Sequence, residues 1–276
     1  MACVSHPPRR RQDDEGLSVF FVFGVITSAF ITHAGAMASR SAVLSLAEAG
    51  ISPQVGAPPA DVLDPSFAPS ERDGLLVIDV QTDFMPGGAL EVPGGTEVIP
   101  IVNALVRRFE HVVLSQDWHP PKHSSFASQH EGKSPYDETQ MPYGAQTLWP
   151  DHCVQNTPGS AFHADLAIPA RARICRKGFR SAIDSYSAFF ENDRVTGTGL
   201  QAHFQELGVT TVYVVGVAYD FCVRFSCEDA AARCGATAVL VKDATRAVGL
   251  PGSVEAAAKG LEQAGVRIVN AAELRS

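Results

Sequence analysis

The chain has 276 residues, of which 45% are hydrophobic and 19% are charged, and its formal net charge is -8. These values predict a soluble globular protein with one well-buried domain and a tail, or with two small domains. The acidic balance argues against a general nucleic-acid binder, because neutralising phosphates requires clustered Lys and Arg. Small-molecule chemistry is therefore favoured.

Residues 1–38 resemble a secretory signal peptide. Three arginines at 9–11 precede an apolar run at 17–31, and small residues at 34–38 follow it. The run is short for a membrane span, and the acidic residues at 13–15 weaken the pattern. Alternatives are true initiation at Met37 or a segment with no export role. We expect an exported or periplasmic protein if the segment is a signal peptide, and a cytoplasmic one otherwise.

The cysteines bear on the same question. None forms a C-x-x-C pair or a closely spaced framework, which fits free thiols in a reducing compartment better than a disulfide scaffold. They are Cys3, Cys153, Cys175, Cys222, Cys227 and Cys234.

Small residues and prolines dominate residues 39–73, so this stretch is predicted to be a poorly ordered linker. A single catalytic domain is predicted over residues 74–276. No stable membrane span is expected within it.

Strand and helix patterns alternate along the predicted domain. A continuous apolar run predicts a buried strand at 75–80, and further strands are predicted at 111–115, 172–176, 210–217, 236–241 and 266–269. Helical spacing is found at 98–109, 199–207, 222–234 and 253–264. Repeated β-α alternation predicts an α/β fold of three layers, with a mostly parallel sheet covered by helices on both faces.

Ligands bind such sheets outside the carboxyl ends of the strands. Asp79, Asp117, Lys177 and the turn 216–222 all fall at or just beyond predicted strand ends. We therefore expect a site at this edge of the sheet.

Cys222 is a candidate nucleophile. It lies where the strand 210–217 gives way to a helix, and a thiol at a helix N-terminus is expected to have a lowered pKa and nearby N–H groups for an oxyanion. The alternative is a small buried hydrophobe, the usual role of a free cysteine. Asp79 could accept the thiol proton, and Lys177 could set the ionisation of both groups. Alternatively, Asp79 is a turn residue and Lys177 a solvated surface charge.

Asp117, His119 and His152 are candidate metal ligands. Asp117 and His119 are two residues apart on an extended segment, so their side chains point to the same side. With His152 they form a set of N and O ligands that leaves coordination positions open, as in catalytic metal sites.

Five segments together resemble the nicotinamidase/pyrazinamidase family of isochorismatase-like cysteine hydrolases, from about residue 74 to the C-terminus. They are Val77-Ile-Asp-Val-Gln-Thr-Asp-Phe84, Ser115-Gln-Asp-Trp-His-Pro120, Leu148-Trp-Pro-Asp-His-Cys153, Lys177-Gly178 and Val215-Gly-Val-Ala-Tyr-Asp-Phe-Cys-Val223.

The resemblance implies a role for each matching residue. Asp79 would be the general base, Lys177 its cationic partner and Cys222 the nucleophile. A cis bond before Ala218 would direct the N–H groups of Ala218 and Cys222 to an oxyanion. The resemblance assigns metal binding to Asp117, His119 and His152, with water or His123 as a further ligand, and pyridine binding to Phe84, Trp149 and Tyr186.

The implied function is a metal-dependent amidase of NAD salvage and pyridine nucleotide biosynthesis. It would convert nicotinamide to nicotinate and ammonia, and also act on pyrazinamide, with one divalent ion of zinc, iron or manganese. Two alternatives are a related amidase acting on another small amide and a non-catalytic metal-binding protein. A homo-oligomer is possible.

Overall fold

The computed structural model describes residues 42–275, so the signal-like segment at 1–38 lies outside the described residues. Seven strands form the main sheet, in the order β1-β6-β3-β2-β7-β8-β9. Their bounds are Val43–Ser45 (β1), Asp73–Ile78 (β2), His111–Asp117 (β3), Arg173–Lys177 (β6), Thr211–Val217 (β7), Thr237–Arg246 (β8) and Arg267–Val269 (β9). β1 is antiparallel to β6, and the other neighbouring pairs are parallel.

Helices cover both faces of this sheet, which confirms the predicted fold class. They are α1 (Leu46–Ala49), α2 (Ile99–Val106), α3 (Leu200–Glu206), α4 (Arg224–Ala232) and α5 (Ser253–Gln263). Side chains alternate along β2, so that Leu75 and Val77 join a core with α2 on one face. Leu76 and Ile78 join a second core with α3, α4 and α5 on the other face. In the described part of the chain, no helix is both long and apolar enough to span a membrane.

The described part of the predicted linker differs from the expectation of poor order. β1 pairs with β6 in the register Val43↔Cys175, and the Phe67 ring packs between Phe109 and Tyr213 at 5.9 and 6.1 Å. Phe67 is buried. Strand pairing and one aromatic anchor therefore order a segment whose own sequence has little periodicity.

A second, two-stranded sheet extends from the domain. β4 (Glu138–Met141) and β5 (Gly144–Thr147) pair antiparallel as a hairpin. Neither strand was predicted, because their short, largely polar sequences lack an apolar run. The hairpin leads directly into the segment that carries Trp149 and His152.

Candidate active site

The four central strands of the sheet bring the predicted catalytic residues together. Asp79 directly follows β2, Lys177 ends β6, and Cys222 lies in the turn after β7. β3 ends at Asp117 and pairs with β6 in the register Asp117↔Lys177. Because these strands are parallel neighbours, their carboxyl ends meet at one edge, as the sequence predicted.

Lys177 is the centre of this group. Its buried ammonium donates hydrogen bonds to Asp117 Oδ1 at 2.6 Å, to the Ser185 carbonyl at 2.9 Å and to Cys222 Sγ at 3.3 Å. It also lies 2.9 Å from Asp79 Oδ2. Lys177 is fully buried, which excludes the interpretation of a solvated surface charge. A buried cation needs paired carboxylates of this kind.

The two oxygens of the Asp79 carboxylate have different neighbours. Oδ1 accepts the Ser115 hydroxyl at 2.6 Å. Oδ2 accepts no hydrogen bond within the described residues, although it faces the Lys177 ammonium. Burial raises the pKa of Asp79 to about 6, while Lys177 opposes the rise and Asp117 adds to it. A buried carboxylate with this pKa can accept a proton near neutral pH.

Cys222 differs from the sequence-based expectation of a lowered thiol pKa. Burial raises its pKa well above the usual value, although Lys177 acts in the opposite direction. The cysteine lies inside a π-helical turn at Tyr219–Val223 rather than at the first residue of α4. Burial therefore outweighs the nearby lysine, and the resting thiol needs a base to ionise. The ligand atoms of Asp79, Asp117 and Cys222 all lie within 4.8 Å of one another.

Asp117, His119 and His152 form a compact group of N and O donors. Asp117 Oδ2 lies 3.6 Å from His119 Nε2 and 3.8 Å from His152 Nε2. All three side chains are buried. Burial opposes ionisation of Asp117, but Lys177 and His119 hold the pKa of its carboxyl well below the usual range.

Both imidazoles of this group are oriented by backbone carbonyls. His119 Nδ1 lies 2.9 Å from the Gly178 oxygen, and His152 Nδ1 lies 2.8 Å from the Pro150 oxygen. A carbonyl only accepts, so each Nδ1 donates, and in the neutral imidazoles each Nε2 keeps a lone pair that faces Asp117. Such second partners are typical of histidines that bind metals. The group could therefore hold one divalent ion, with the two Nε2 atoms and Asp117 Oδ2 as ligands.

Gly178 allows this orientation of His119. It has a φ of 62°, and a Cβ at this position would lie 2.4 Å from His119 Cε1. Only a residue without a side chain fits between the lysine and the imidazole.

His123 lies beside the metal group but its ring nitrogens are already used. Nδ1 is 2.7 Å from the Ser125 hydroxyl, and Nε2 is 3.0 and 3.1 Å from the carbonyls of Arg180 and Ile183. Nε2 must therefore carry a proton. This geometry favours a structural role for His123.

Aromatic residues form the walls of the adjoining pocket. Phe84, Trp149 and Tyr186 all line it, as the resemblance implied, and Phe221 joins them. Trp149 packs edge-on against Phe221 with ring centroids 4.8 Å apart, and its indole Nε1 donates to the Tyr186 hydroxyl at 3.2 Å. Asp117, His119, His152, Ala218 and Cys222 also line the pocket. The peptide bond between Val217 and Ala218 is cis.

Sequence reasoning missed three polar residues here. Gln81 accepts from the Asp117 amide at 2.8 Å and donates to the Asp117 carbonyl at 2.9 Å, so it fixes the backbone of a metal-group residue. Ser115 holds Asp79. Asp184 is buried and lines the pocket, with Oδ2 accepting from Gln146 at 2.8 Å. Gln81 and Ser115 stand inside the quoted motifs, but nothing in the spacing assigned them partners.

A thiol, a carboxylate and an ammonium at one sheet edge, beside a histidine-carboxylate group, form the arrangement of a cysteine hydrolase with a metal site. The isochorismatase domain model matches residues 73–273, and the chain belongs to this family. The nicotinamidase of Acinetobacter baylyi is 46% identical over 196 residues, which cover 71% of this chain and 91% of that protein.

Two solved structures are similar as well. One is described as an Acinetobacter baumanii nicotinamidase pyrazinamidase; it is 46% identical, has a TM-score of 0.72, and covers 74% of this chain and 99% of its own. The other is a pyrazinamidase of Pyrococcus horikoshii in complex with zinc, 36% identical, with a TM-score of 0.59 and coverage of 72% and 99%. The similarity extends over nearly the whole length of both neighbours.

Proposed function

We propose that the protein is an amidase that hydrolyses nicotinamide to nicotinate and ammonia, a step of NAD salvage. One observation carries the proposal: the Cys222 thiol opens into the same aromatic pocket as the donors of Asp117, His119 and His152. A flat heteroaromatic ring with an amide needs both features. The named activities of the relatives support the same substrate class.

Asp79 and Cys222 would begin the reaction. Asp79 Oδ2, which lies 2.9 Å from the Lys177 ammonium, takes the thiol proton. The thiolate then attacks the amide carbon. Lys177 touches both groups, so it stabilises the negative charge as it moves from Asp79 to sulfur. The backbone N–H groups of Ala218 and Cys222 are the proposed donors to the oxyanion.

Collapse of the tetrahedral intermediate would break the carbon–nitrogen bond. Protonated Asp79 gives its proton to the departing nitrogen, which leaves as ammonia, and a thioester to Cys222 remains. Asp79 then takes a proton from water while the hydroxide attacks the thioester carbon. The carbon–sulfur bond then breaks, nicotinate leaves, and protonated Asp79 returns its proton to the Cys222 sulfur. The same carboxyl group therefore acts as base and acid in both halves of the reaction.

Asp117, His119 and His152 would hold one divalent ion, and we propose zinc, iron or manganese. When bound, the ion would offer a coordination position to the pyridine nitrogen. The protein's own contribution is to aim both Nε2 atoms inward and to enclose the ring between Phe84, Trp149 and Tyr186. Pyrazinamide has a nitrogen in the corresponding ring position and is the expected second substrate.

The test is ammonia release by purified protein from nicotinamide, pyrazinamide and an acyclic amide such as propionamide. We expect turnover of both ring amides and little or none of propionamide. Turnover of propionamide at a similar kcat/KM would favour a general small-amide hydrolase. Stoichiometric metal with no turnover of any amide would favour a metal-binding protein.

A further inference from the structure

Asp220 is a buried carboxylate that the proposed reaction does not use. It lies in the same turn as Cys222 and is 1% exposed. Its oxygens accept from the Val248 amide at 3.0 Å, the Gly249 amide at 2.9 Å and the Ser253 hydroxyl at 2.5 Å. Val248 and Gly249 belong to the connection between β8 and α5, and Ser253 is the first residue of α5. One side chain thus joins the nucleophile's turn to a distant part of the sequence.

The connection 247–252 contains two glycines, and hydrogen bonds to Asp220 fix part of its backbone. Gly249 and Gly252 have φ values of 79° and 76°, and a Cβ at either position would meet no atom within 4 Å. Packing therefore does not fix these two residues. Glycine backbones lose much conformational entropy on ordering, and a carboxylate that accepts several hydrogen bonds offsets that loss. Asp220 is placed to hold this connection in one conformation.

Val248 carries the effect into the pocket. Its side chain lines the pocket together with Phe84, Leu90 and Phe221. Val248 packs against the core only partly buried, whereas its amide is fixed by Asp220. Because Asp220 directly precedes Phe221 and Cys222, the same carboxylate fixes this wall relative to the reacting sulfur.

We propose that Asp220 is a positioning residue that holds Val248 as a size filter on the substrate's ring. The proposal rests on the proposed function and assigns its ring selectivity to a contact outside the metal group. A wall tied to the nucleophile's turn tolerates little extra ring volume. A wall that can move accepts a larger ring and holds nicotinamide less well.

The test uses Asp220→Asn with the holoenzyme and compares nicotinamide with its ring-methylated isomers. Asn is close to Asp in size but offers one acceptor oxygen in place of two, so at least one backbone amide loses its partner. We expect KM for nicotinamide to rise about tenfold with a much smaller change in kcat. Discrimination against the isomer that the wild type rejects most should shrink roughly tenfold, within the range that one methyl group commands in an apolar pocket. Val248→Ala should likewise reduce the preference for nicotinamide over the ring-methylated isomer.

Asp243→Asn is the matched control. Asp243 lies in β8 and accepts a hydrogen bond from the Ala271 amide at 2.9 Å, which an asparagine oxygen can still accept, so the change removes a carboxylate charge without reaching Val248. It should leave ring discrimination unchanged. Equal discrimination by Asp220→Asn and the wild type would overturn the proposal, as would loss of discrimination in Asp243→Asn.

A second readout separates the inference from the proposed function. Amide hydrogen exchange over residues 247–253 should be faster in Asp220→Asn than in the wild type and unchanged in Asp243→Asn. If the wild type fails to hydrolyse nicotinamide, the proposed function is wrong, and exchange still decides whether Asp220 holds this connection. Equal exchange in all three proteins would show that it does not.

Discussion

Lys177 and Asp117 are joined by a hydrogen bond of 2.6 Å between the lysine Nζ and Asp117 Oδ1. The other oxygen of Asp117 faces the two histidines. The carboxylate therefore belongs to both halves of the site, with one oxygen on the cation that touches Cys222 and one on the metal group. A change of charge at Asp117, His119 and His152 should therefore alter the ionisation of Lys177 and Cys222 through the Asp117 carboxylate.

Replacing Cys222 by Ala should reduce nicotinamide turnover by about 10⁴-fold or more, because no other group can form the thioester. Metal content and the unfolding midpoint should change little, since the substitution removes one atom that has only one hydrogen-bond partner. Cys227→Ala is the control, because Cys227 is buried in α4 and lines no part of the pocket. Steady-state ammonia release measures both variants. If Cys222→Ala hydrolyses nicotinamide at the wild-type rate, Cys222 is not the nucleophile.

The activity of the wild type should fall in acid because of Asp79. Its carboxylate is the active form, and burial raises its pKa to about 6, so kcat/KM should be half-maximal near pH 6 and should level off roughly one to two pH units higher. Asp79→Asn should be inactive, and alkylation of Cys222 by iodoacetamide should slow in it at neutral pH. Asp229→Asn, a change at another buried acid, should keep the acid limb. A flat profile from pH 5 to 8 in the wild type would contradict the role of Asp79.

Removal of the inward-facing imidazoles should release the metal. His119→Ala and His152→Ala each delete one Nε2 donor, so metal content after dialysis should drop well below one ion per chain. His123→Ala should retain it, because both His123 nitrogens are engaged by Ser125 and by backbone carbonyls. Elemental analysis of the purified variants measures the difference. Metal loss in His123→Ala equal to that in His119→Ala would make His123 a ligand.

Benzamide should be a poor substrate for the loaded enzyme. It offers the same amide and fits the same aromatic walls, but it lacks the ring nitrogen that would reach the metal group. Unmatched polar groups reduce specificity constants far more than a missing methylene does, so we expect a loss of roughly 10²-fold or more in kcat/KM. Chelation should remove the preference together with most of the activity. Equal values for benzamide and nicotinamide on loaded enzyme would contradict the anchoring of the ring nitrogen.

The segment before β2 should contribute to stability. Phe67→Ala leaves a cavity beside Phe109 and Tyr213 and should lower the free energy of unfolding by about 3–5 kcal/mol. Val55→Ala lies in the same segment, but Val55 is 86% exposed, so it should change stability by no more than about 0.5 kcal/mol. Denaturant unfolding of both variants gives the comparison. Equal free energies of unfolding for Phe67→Ala and Val55→Ala would mean that the packing of Phe67 does not stabilise the domain.

The parts of the fold that sequence predicts are those that long apolar runs specify. β2, β3 and β7 were each located within two residues at either end, because a buried parallel strand leaves a continuous hydrophobic signature. β1 has three residues, and its stability comes from pairing with β6. No local pattern marks such a strand.

The site divides in a similar way. Residues that project from strand ends, such as Asp79 and Lys177, follow from the position of the strands. Asp184 could not be assigned, because its place in the pocket depends on the folding of a long irregular segment between β6 and α3. The thiol pKa of Cys222 was predicted in the wrong direction, because the extent of burial is not visible in the sequence. Burial here outweighs the nearby lysine.

Gly178 has a consequence for judging related sequences. A chain could retain every acid, imidazole, ammonium and thiol of this site and still lose metal binding through an alanine at this one position, since the methyl group would displace the His119 ring. Such a chain would still carry every catalytic and metal-binding residue of the site. When related sequences are judged for activity, the glycine after the lysine should therefore be required as strictly as the reactive residues themselves.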